Sequence, residues 1–307
     1  MHKHVTYNYS TNSKPKKKLN WKFKILIITN DLSKKVIATT LVTLILFSGI
    51  LAIPLEKFFI DATLSSIQID QITLFLKSLL IISISVFAIK KLNIKALAGL
   101  DKQLSWSKKY LIFIPLYLLI LGALQIFGQD LSEVQSINIL LLFFSTMAVG
   151  FSEELVFRGI LQSVYIKGYY EKKNRVFYSV LIPAIIFGLL HLLNFEIKNI
   201  AQELSQVLYA IFFGVFFGAL LLKTNKLIPL AIVHGLINFV FGFSNILNNK
   251  IVENETIATD VVSDVINSIA STIVVLPLFI VGLIVIRKVK KENIKNKIYL
   301  SNTNENQ

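Results

Sequence analysis

The stretch Phe151-Ser152-Glu153-Glu154-Leu155-Val156-Phe157-Arg158-Gly159 places two adjacent carboxylates and a guanidinium at the end of the apolar run Ile137–Gly150. An ionisable side chain at membrane depth costs about 2.5–3.5 kcal/mol on insertion scales. Such groups are kept inside apolar segments mainly where they have a function. The stretch therefore marks a candidate functional site.

The composition is that of a membrane protein. The 307 residues are 54% hydrophobic and 16% charged, with a mean hydropathy of +0.65, whereas about 25% of the residues of a soluble domain are charged. The chain contains no cysteine, which excludes disulfides, thiolate nucleophiles and zinc-thiolate sites. The net charge of +14 lies in short lysine runs between apolar segments, a pattern that indicates the lipid bilayer as partner and not nucleic acid.

Apolar segments long enough to cross a membrane recur along the chain. A spanning helix needs about 20 mostly apolar residues, and this rule predicts an all-α, polytopic transmembrane helical bundle of about eight spans in the cell membrane. The predicted spans are Val36–Pro54, Ile72–Ile89, Tyr110–Phe127, Ile137–Gln162, Val176–Leu193, Leu204–Leu222, Leu227–Leu247 and Ile269–Ile286.

The loops between these spans alternate between lysine-rich and acidic, and lysine-rich loops stay in the cytoplasm. This alternation predicts that both termini are cytoplasmic. The predicted organisation is a basic cytoplasmic tail (1–35), three N-terminal spans (36–134), a core of four spans (135–247), and a last span with a second basic cytoplasmic tail (248–307).

Helical spacing separates the two adjacent carboxylates. Glu154 and Arg158 are four residues apart and share a helix face, which predicts an ion pair. Glu153 is rotated by about 100° from Glu154 on a helix of 3.6 residues per turn. We therefore expect Arg158 to hold Glu154 as supporting structure, while Glu153 points elsewhere and is free to face a cavity.

Two further polar stripes lie in apolar segments. Phe187 precedes His191 by one helical turn and is placed to brace its imidazole, and His234 and Asn238 are also one turn apart. Gly188 and Gly235 adjoin the histidines and permit close helix approach. Any one of these residues alone is consistent with helix–helix hydrogen bonding, but together with Glu153 they indicate one shared site.

The ordered set Glu153-Glu154-x-x-x-Arg158, Phe187-x-x-x-His191 and His234-x-x-x-Asn238 resembles the three motifs of the CAAX protease and bacteriocin-processing (Abi) family of intramembrane endopeptidases. The resemblance covers roughly residues 137–245. It implies that Glu153 is a general base activating water, that His191 shares this water, and that His234 and Asn238 donate hydrogen bonds to the oxyanion. Glu154, Arg158 and Phe187 would be supporting residues.

Metal dependence is left open by the sequence. Glu153, His191 and His234 match a His₂Glu zinc set, yet the chain has no H-E-x-x-H helix and these ligands would come from three helices. If they bound zinc, Glu154 would have to be the base, which conflicts with its pairing to Arg158. We favour a glutamate mechanism without metal.

The depths of the two histidines also differ. His234 is close to the cytoplasmic end of its predicted span, whereas His191 is further out. Convergence requires the fifth helix to tilt or to begin inside the cytoplasm, so the site is expected between mid-membrane and the cytoplasmic leaflet.

Two other function classes are compatible with part of the pattern. The first is a non-catalytic bacteriocin-immunity or regulatory membrane protein; the second is a proton-coupled transporter, which lacks support because no inverted repeat is detected. The expected partner of an endopeptidase is a peptide or protein substrate at the membrane. The sequence does not reveal whether this substrate is prenylated.

Overall fold

The computed structural model describes residues 21–59, 63–132, 134–169, 174–194, 200–247 and 261–303. Their regular secondary structure is entirely helical. The α-helices are α1 (Trp21–Leu51), α2 (Ser66–Lys91), α3 (Leu116–Ile126), α4 (Ser136–Glu154), α5 (Ser163–Gly168), α6 (Arg175–Leu190), α7 (Ile200–Thr224), α8 (Ile228–Leu247), α9 (Val261–Arg287) and α10 (Lys291–Thr303). Residues 1–20 and 304–307 of the predicted tails, and 248–260 of the predicted loop before the last span, lie outside the described residues.

The predicted membrane bundle is confirmed. Within the described residues, 7 helical stretches are long and apolar enough to cross a membrane, and Ile228–Ser244 of α8 forms a shorter apolar stretch. Each of these stretches coincides with one of the predicted spans. The protein is therefore a multi-pass membrane protein, and about eight spans are consistent with its helices. The cytoplasmic location of both termini stays a prediction.

Two helices extend beyond the predicted spans. α1 begins at Trp21, inside the segment assigned to the basic tail, and α10 forms in the segment assigned to the second tail. α10 is polar on average, yet it buries Ile294, Lys297 and Ser301. Hydropathy alone does not reveal such a helix, because its apolar side is only a few residues wide.

Helix α4 lies at the centre of the bundle and packs on α2 along one side and on α8 along another. Polar side chains join α4 to α2: the Gln68 amide donates to Asn138 Oδ1 (3.0 Å), and the Ser145 hydroxyl donates to Gln71 Oε1. Such bonds hold helices together where lipid offers no polar partner. Outside this centre, α7 packs between α6 and α9.

Glycines set the closest approach of α4 to α8. A Cβ atom on Gly150 would lie 2.5 Å from the backbone nitrogen of Gly235, and one on Gly235 would lie 2.8 Å from Met147 Cα. The two backbones are thus in direct contact, as predicted for Gly235. This crossing lies one turn before Glu154 and next to His234, so it determines the distance between these two side chains.

Candidate active site

The segment that carries Arg158 is not an ordinary α-helix. α4 ends at Glu154, and Leu155–Gln162 continues as a π-helix before α5 begins. All eight residues of this π-segment are buried. A π-helix changes the angular register of the side chains that follow it and frequently occurs at functional sites. The sequence periodicity did not predict this segment.

The predicted ion pair between Glu154 and Arg158 is present. Arg158 Nη1 lies 3.1 Å from Glu154 Oε1, and the two side chains are 2% and 0% exposed. The guanidinium carbon lies 4.9 Å from the centre of the Phe187 ring and 5.9 Å from that of Phe217. The contact is an ion pair without hydrogen-bond alignment, because Nη1 and Nη2 of Arg158 and Oε2 of Glu154 make no hydrogen bond within the described part of the chain.

His234 joins the two neighbouring carboxylates. Its Nδ1 lies 2.9 Å from Glu154 Oε1, and its Nε2 lies 3.4 Å from Glu153 Oε2. Glu154 therefore has His234 as a second partner besides Arg158, and Glu153, although it diverges from Glu154 on α4, also approaches this ring. The two nitrogens of an imidazole point in different directions, so carboxylates that diverge on α4 both reach the same ring.

Three phenylalanines surround the imidazole of His234. The Phe217 ring stacks on it at 5.5 Å and 14°, and the Phe213 ring is nearly parallel at 6.4 Å. Phe187 approaches edge-on at 6.3 Å. Sequence reasoning missed Phe213 and Phe217, although both directly precede a glycine of the G-x-x-x-G pair in α7.

His191, like His234, contacts the ring of Phe187. It follows α6 at the start of a 3₁₀ turn (His191–Asn194), and its Nδ1 lies 2.9 Å from the Phe187 carbonyl oxygen. A carbonyl only accepts, so Nδ1 is the donor of this bond and Nε2 is left for other partners. The His191 ring meets the Phe187 ring edge to face at 5.0 Å. Both histidines thus contact one phenyl ring, despite their different expected depths.

Asn238 lies one turn after His234 on α8 and is partly buried. Among the described residues it forms no hydrogen bond with Glu153, Glu154, His191 or Arg158. The structure thus brings four of the predicted side chains (Glu153, Glu154, Arg158 and His191) around His234 and Phe187 and leaves Asn238 without a partner in the site.

The donor atoms do not form a metal site. The part of the chain that the structure describes contains no group of three or more His, Cys, Asp or Glu side chains placed to hold a metal ion. Both nitrogens of His234 face carboxylates, and Nδ1 of His191 faces a carbonyl. In this arrangement the side chains of Glu153, His191 and His234 are not grouped as a zinc set requires.

Comparison with known proteins identifies this part of the chain. Residues 135–240 match the model of the family described as type II CAAX prenyl endopeptidase Rce1-like. The matched segment is about a third of the chain, and it is similar to the CAAX protease and bacteriocin-processing family. No curated protein and no solved structure gives a significant match to the chain.

The Rce1-like segment contains every residue of the candidate site, from α4 through most of α8. The match supports a CAAX-type intramembrane protease acting on substrates at the membrane. Helices α1 to α3, α9 and α10 lie outside the matched segment.

Proposed function

We propose that the protein is an intramembrane endopeptidase of the glutamate type that hydrolyses peptide bonds in membrane-associated or C-terminal peptide substrates. One observation carries the proposal: His234 holds two carboxylates of unequal exposure. The Glu154 side chain is fully buried, whereas that of Glu153 is 17% exposed. One carboxylate is thus fixed inside the protein and the other is accessible for chemistry.

Glu154 and Arg158 act as positioning residues. Arg158 is ion-paired with Glu154, and the Glu154 carboxylate accepts a hydrogen bond from Nδ1 of His234. This contact fixes the orientation of the imidazole, so that Nε2 lies on the side of the ring that faces Glu153.

Glu153 is the general base in this proposal. It removes a proton from water, the resulting hydroxide adds to the carbonyl carbon of the scissile peptide, and Glu153 then transfers the proton to the leaving amine. His234, through Nε2, and the Asn238 amide stabilise the oxyanion, since a well-placed donor contributes about 10²–10³ in rate. His191, with its Nδ1 committed to Phe187, accepts a hydrogen bond from the water through Nε2.

Some buried polar atoms of the site have no hydrogen-bond partner among the described residues, which supports the presence of an additional polar partner. Buried polar groups in proteins are nearly always hydrogen-bonded. Arg158 and Glu154 nevertheless have side-chain atoms that make no hydrogen bond to the described residues. A buried water molecule beside the pair would satisfy them, since such waters typically bond to polar groups of this kind.

The test compares Glu153→Gln with the wild type. Glutamine keeps the size of the side chain but cannot take a proton, so we expect cleavage to be lost while membrane insertion and thermal unfolding stay unchanged. The readout is the peptide content of host membranes with either form, followed by cleavage of the identified peptide by purified protein. The matched control is Glu203→Gln, which removes a carboxylate from the first turn of α7, outside the site.

Full cleavage by Glu153→Gln would overturn the glutamate mechanism. If no peptide differs between the two membranes, and Glu153→Ala and His234→Ala leave the biological phenotype intact, the protein is a non-catalytic partner. Synthesising the identified peptide with and without an isoprenoid then determines whether prenylation is recognised.

A further inference from the structure

Helices α1 and α2 leave an apolar groove between them. The groove has a volume of about 490 Å³. Its walls are the facing sides of the two helices, and Val156 and Ile160 of the π-segment close its floor. Pockets of about 300–1,000 Å³ are typical of sites for small molecules.

The length of the groove matches one leaflet of a bilayer. It extends from Ala38 to Ile50 on α1 and from Ile81 to Leu92 on α2. At ~1.5 Å per residue these stretches are ~17–18 Å long. Half of the hydrocarbon layer is ~15 Å thick, so the groove begins near the membrane surface and ends near the midplane.

The surface end of the groove is cationic. Lys91 lines it and is exposed, and its ammonium group forms no ion pair or hydrogen bond with the described residues. Lys90 is its neighbour on α2, and Lys34 and Lys35 precede Ala38 by one turn on α1. Lysines at a membrane surface attract the phosphates of anionic lipids.

The chemistry of the groove argues against a polypeptide occupant. Its lining is almost entirely aliphatic or aromatic, with Thr39, Thr43 and Ser85 as the neutral polar exceptions. An extended peptide in this groove would leave its N–H and C=O groups without partners, which lipid surroundings do not tolerate. A second copy of this chain would bring a helix with the same lysines to the same end.

We propose that the groove binds one membrane phospholipid with an anionic headgroup. One acyl chain lies between α1 and α2 against Val156 and Ile160, and the phosphate contacts Lys91. The bound chain fills the space behind the π-segment that carries Arg158. Phe47 in the groove wall contacts Phe157 at 5.5 Å, so the lipid also supports the aromatic residues next to the active site.

The test measures lipid retained by the purified full-length protein. Detergent micelles containing equal amounts of palmitoyl-oleoyl phosphatidylglycerol and phosphatidylcholine are used, and bound lipid is counted by native mass spectrometry. We expect the wild type to retain one phosphatidylglycerol several-fold more often than phosphatidylcholine. Thr43→Trp fills the groove and abolishes retention, and Lys91→Gln removes the preference for phosphatidylglycerol.

Matched controls lie outside the groove, one on α1 and one in the segment that follows α2. Ile45→Trp adds the same ring to the 69% exposed lipid-facing side of α1, and Lys95→Gln removes a nearby exposed lysine; both should retain lipid like the wild type. If circular dichroism shows that Thr43→Trp does not fold, Ala88→Phe fills the groove from the opposite wall.

Three results would overturn the proposal. They are equal retention of both lipids by the wild type, unchanged retention of phosphatidylglycerol in a folded groove-filling variant, and a wild-type dimer without lipid that the groove-filling variant converts to monomer. None of these measurements depends on peptidase activity.

Discussion

The Glu154 carboxylate contacts two partners, one close to it in the sequence and one far from it. Arg158 is four residues away and was predictable from helical spacing, whereas His234 comes from α8. Motif order indicated that Glu153, Glu154 and His234 belong to one site. It did not indicate which carboxylate contacts which nitrogen, because that depends on where α4 and α8 cross.

At the residue scale, replacing Arg158 by methionine should be strongly destabilising. The substitution leaves a fully buried carboxylate without its cation, and removing one partner of a buried pair costs about 3–5 kcal/mol. We expect the free energy of unfolding in detergent to fall by this amount for Arg158→Met, and by less for Glu154→Gln/Arg158→Met, where no charge is left unpaired.

Lys77 and Glu56 provide the control for this comparison. Their side chains approach to 2.9 Å, but that of Glu56 is 45% exposed. Lys77→Met should therefore change the unfolding free energy much less than Arg158→Met. Equal losses in Arg158→Met and in the double variant would show that the guanidinium stabilises the fold through Phe187 and Phe217 instead of through Glu154.

At the element scale, the crossing of α4 and α8 positions the site. A methyl group on Gly150 would lie 2.5 Å from the Gly235 nitrogen and 2.7 Å from its Cα, so Gly150→Ala must move the two helices apart. Overpacking of this kind costs about 1–3 kcal/mol, and a shift of about 1 Å at a catalytic centre lowers rates by about 10²-fold. We expect lower thermal stability and a larger proportional loss of peptide cleavage.

Gly242→Ala tests the same helix pair without the clash. Its nearest neighbours would be Leu142 Cδ1 at 3.4 Å and Thr146 Cγ2 at 3.9 Å, which are ordinary contacts. This variant should keep wild-type stability and cleavage. A Gly150→Ala protein with wild-type cleavage would mean that the α4–α8 distance does not control the site.

The sequence predicted the spans because the hydropathy of single residues adds up along a segment. About 20 apolar residues mark a helix in a membrane whatever the neighbouring helices are. The sequence did not predict the π-segment Leu155–Gln162, because a stretch that is buried on every side has no exposed polar face from which a change of helical period could be read. It also missed Phe213 and Phe217, because an aromatic residue in a lipid-embedded helix has the same composition signal whether it faces lipid or His234.

Helix α10 offers a test of pH dependence outside the membrane spans. Burial alone lowers the pKa of Lys297 to about 7, and its ammonium lies 3.5 Å from the Leu222 carbonyl oxygen near the end of α7. Between about pH 7 and the ordinary lysine value of 10.5, the unfolded state binds more protons than the folded state, so rising pH stabilises the fold.

Lys297→Met should therefore unfold at a higher temperature than the wild type at pH 7, and the difference should shrink as the pH approaches 10. Thermal unfolding of both proteins between pH 6 and 10 measures this. Lys295→Met, on the exposed side of α10, should follow the wild type at every pH. A difference that stays constant up to pH 10 would show that Lys297 is charged in the folded protein.

At the scale of the whole molecule, the number of spans determines where the C-terminal part lies. The apolar stretch Ile228–Ser244 is shorter than the other 7 candidate spans. The whole of α8 nevertheless has 20 residues, or ~30 Å at 1.5 Å per residue, which is the thickness of the hydrocarbon layer. The lysines before it and the acidic residues after it also favour a crossing.

The natural absence of cysteine makes this topology directly measurable. We expect a single cysteine at Ser132, in the loop between α3 and α4, to react with a membrane-impermeant maleimide in intact cells. Cysteines at Gln103, between α2 and α3, and at Asn293, in α10, should react only after permeabilisation, because eight crossings return the chain to the side of its lysine-rich loops. All three positions are exposed in the structure.

If Asn293 reacts in intact cells while Gln103 does not, α8 does not cross the membrane and the termini lie on opposite sides. His234 would then belong to a re-entrant helix, and substrate would have to reach Glu153 from the cytoplasmic surface instead of from within the bilayer.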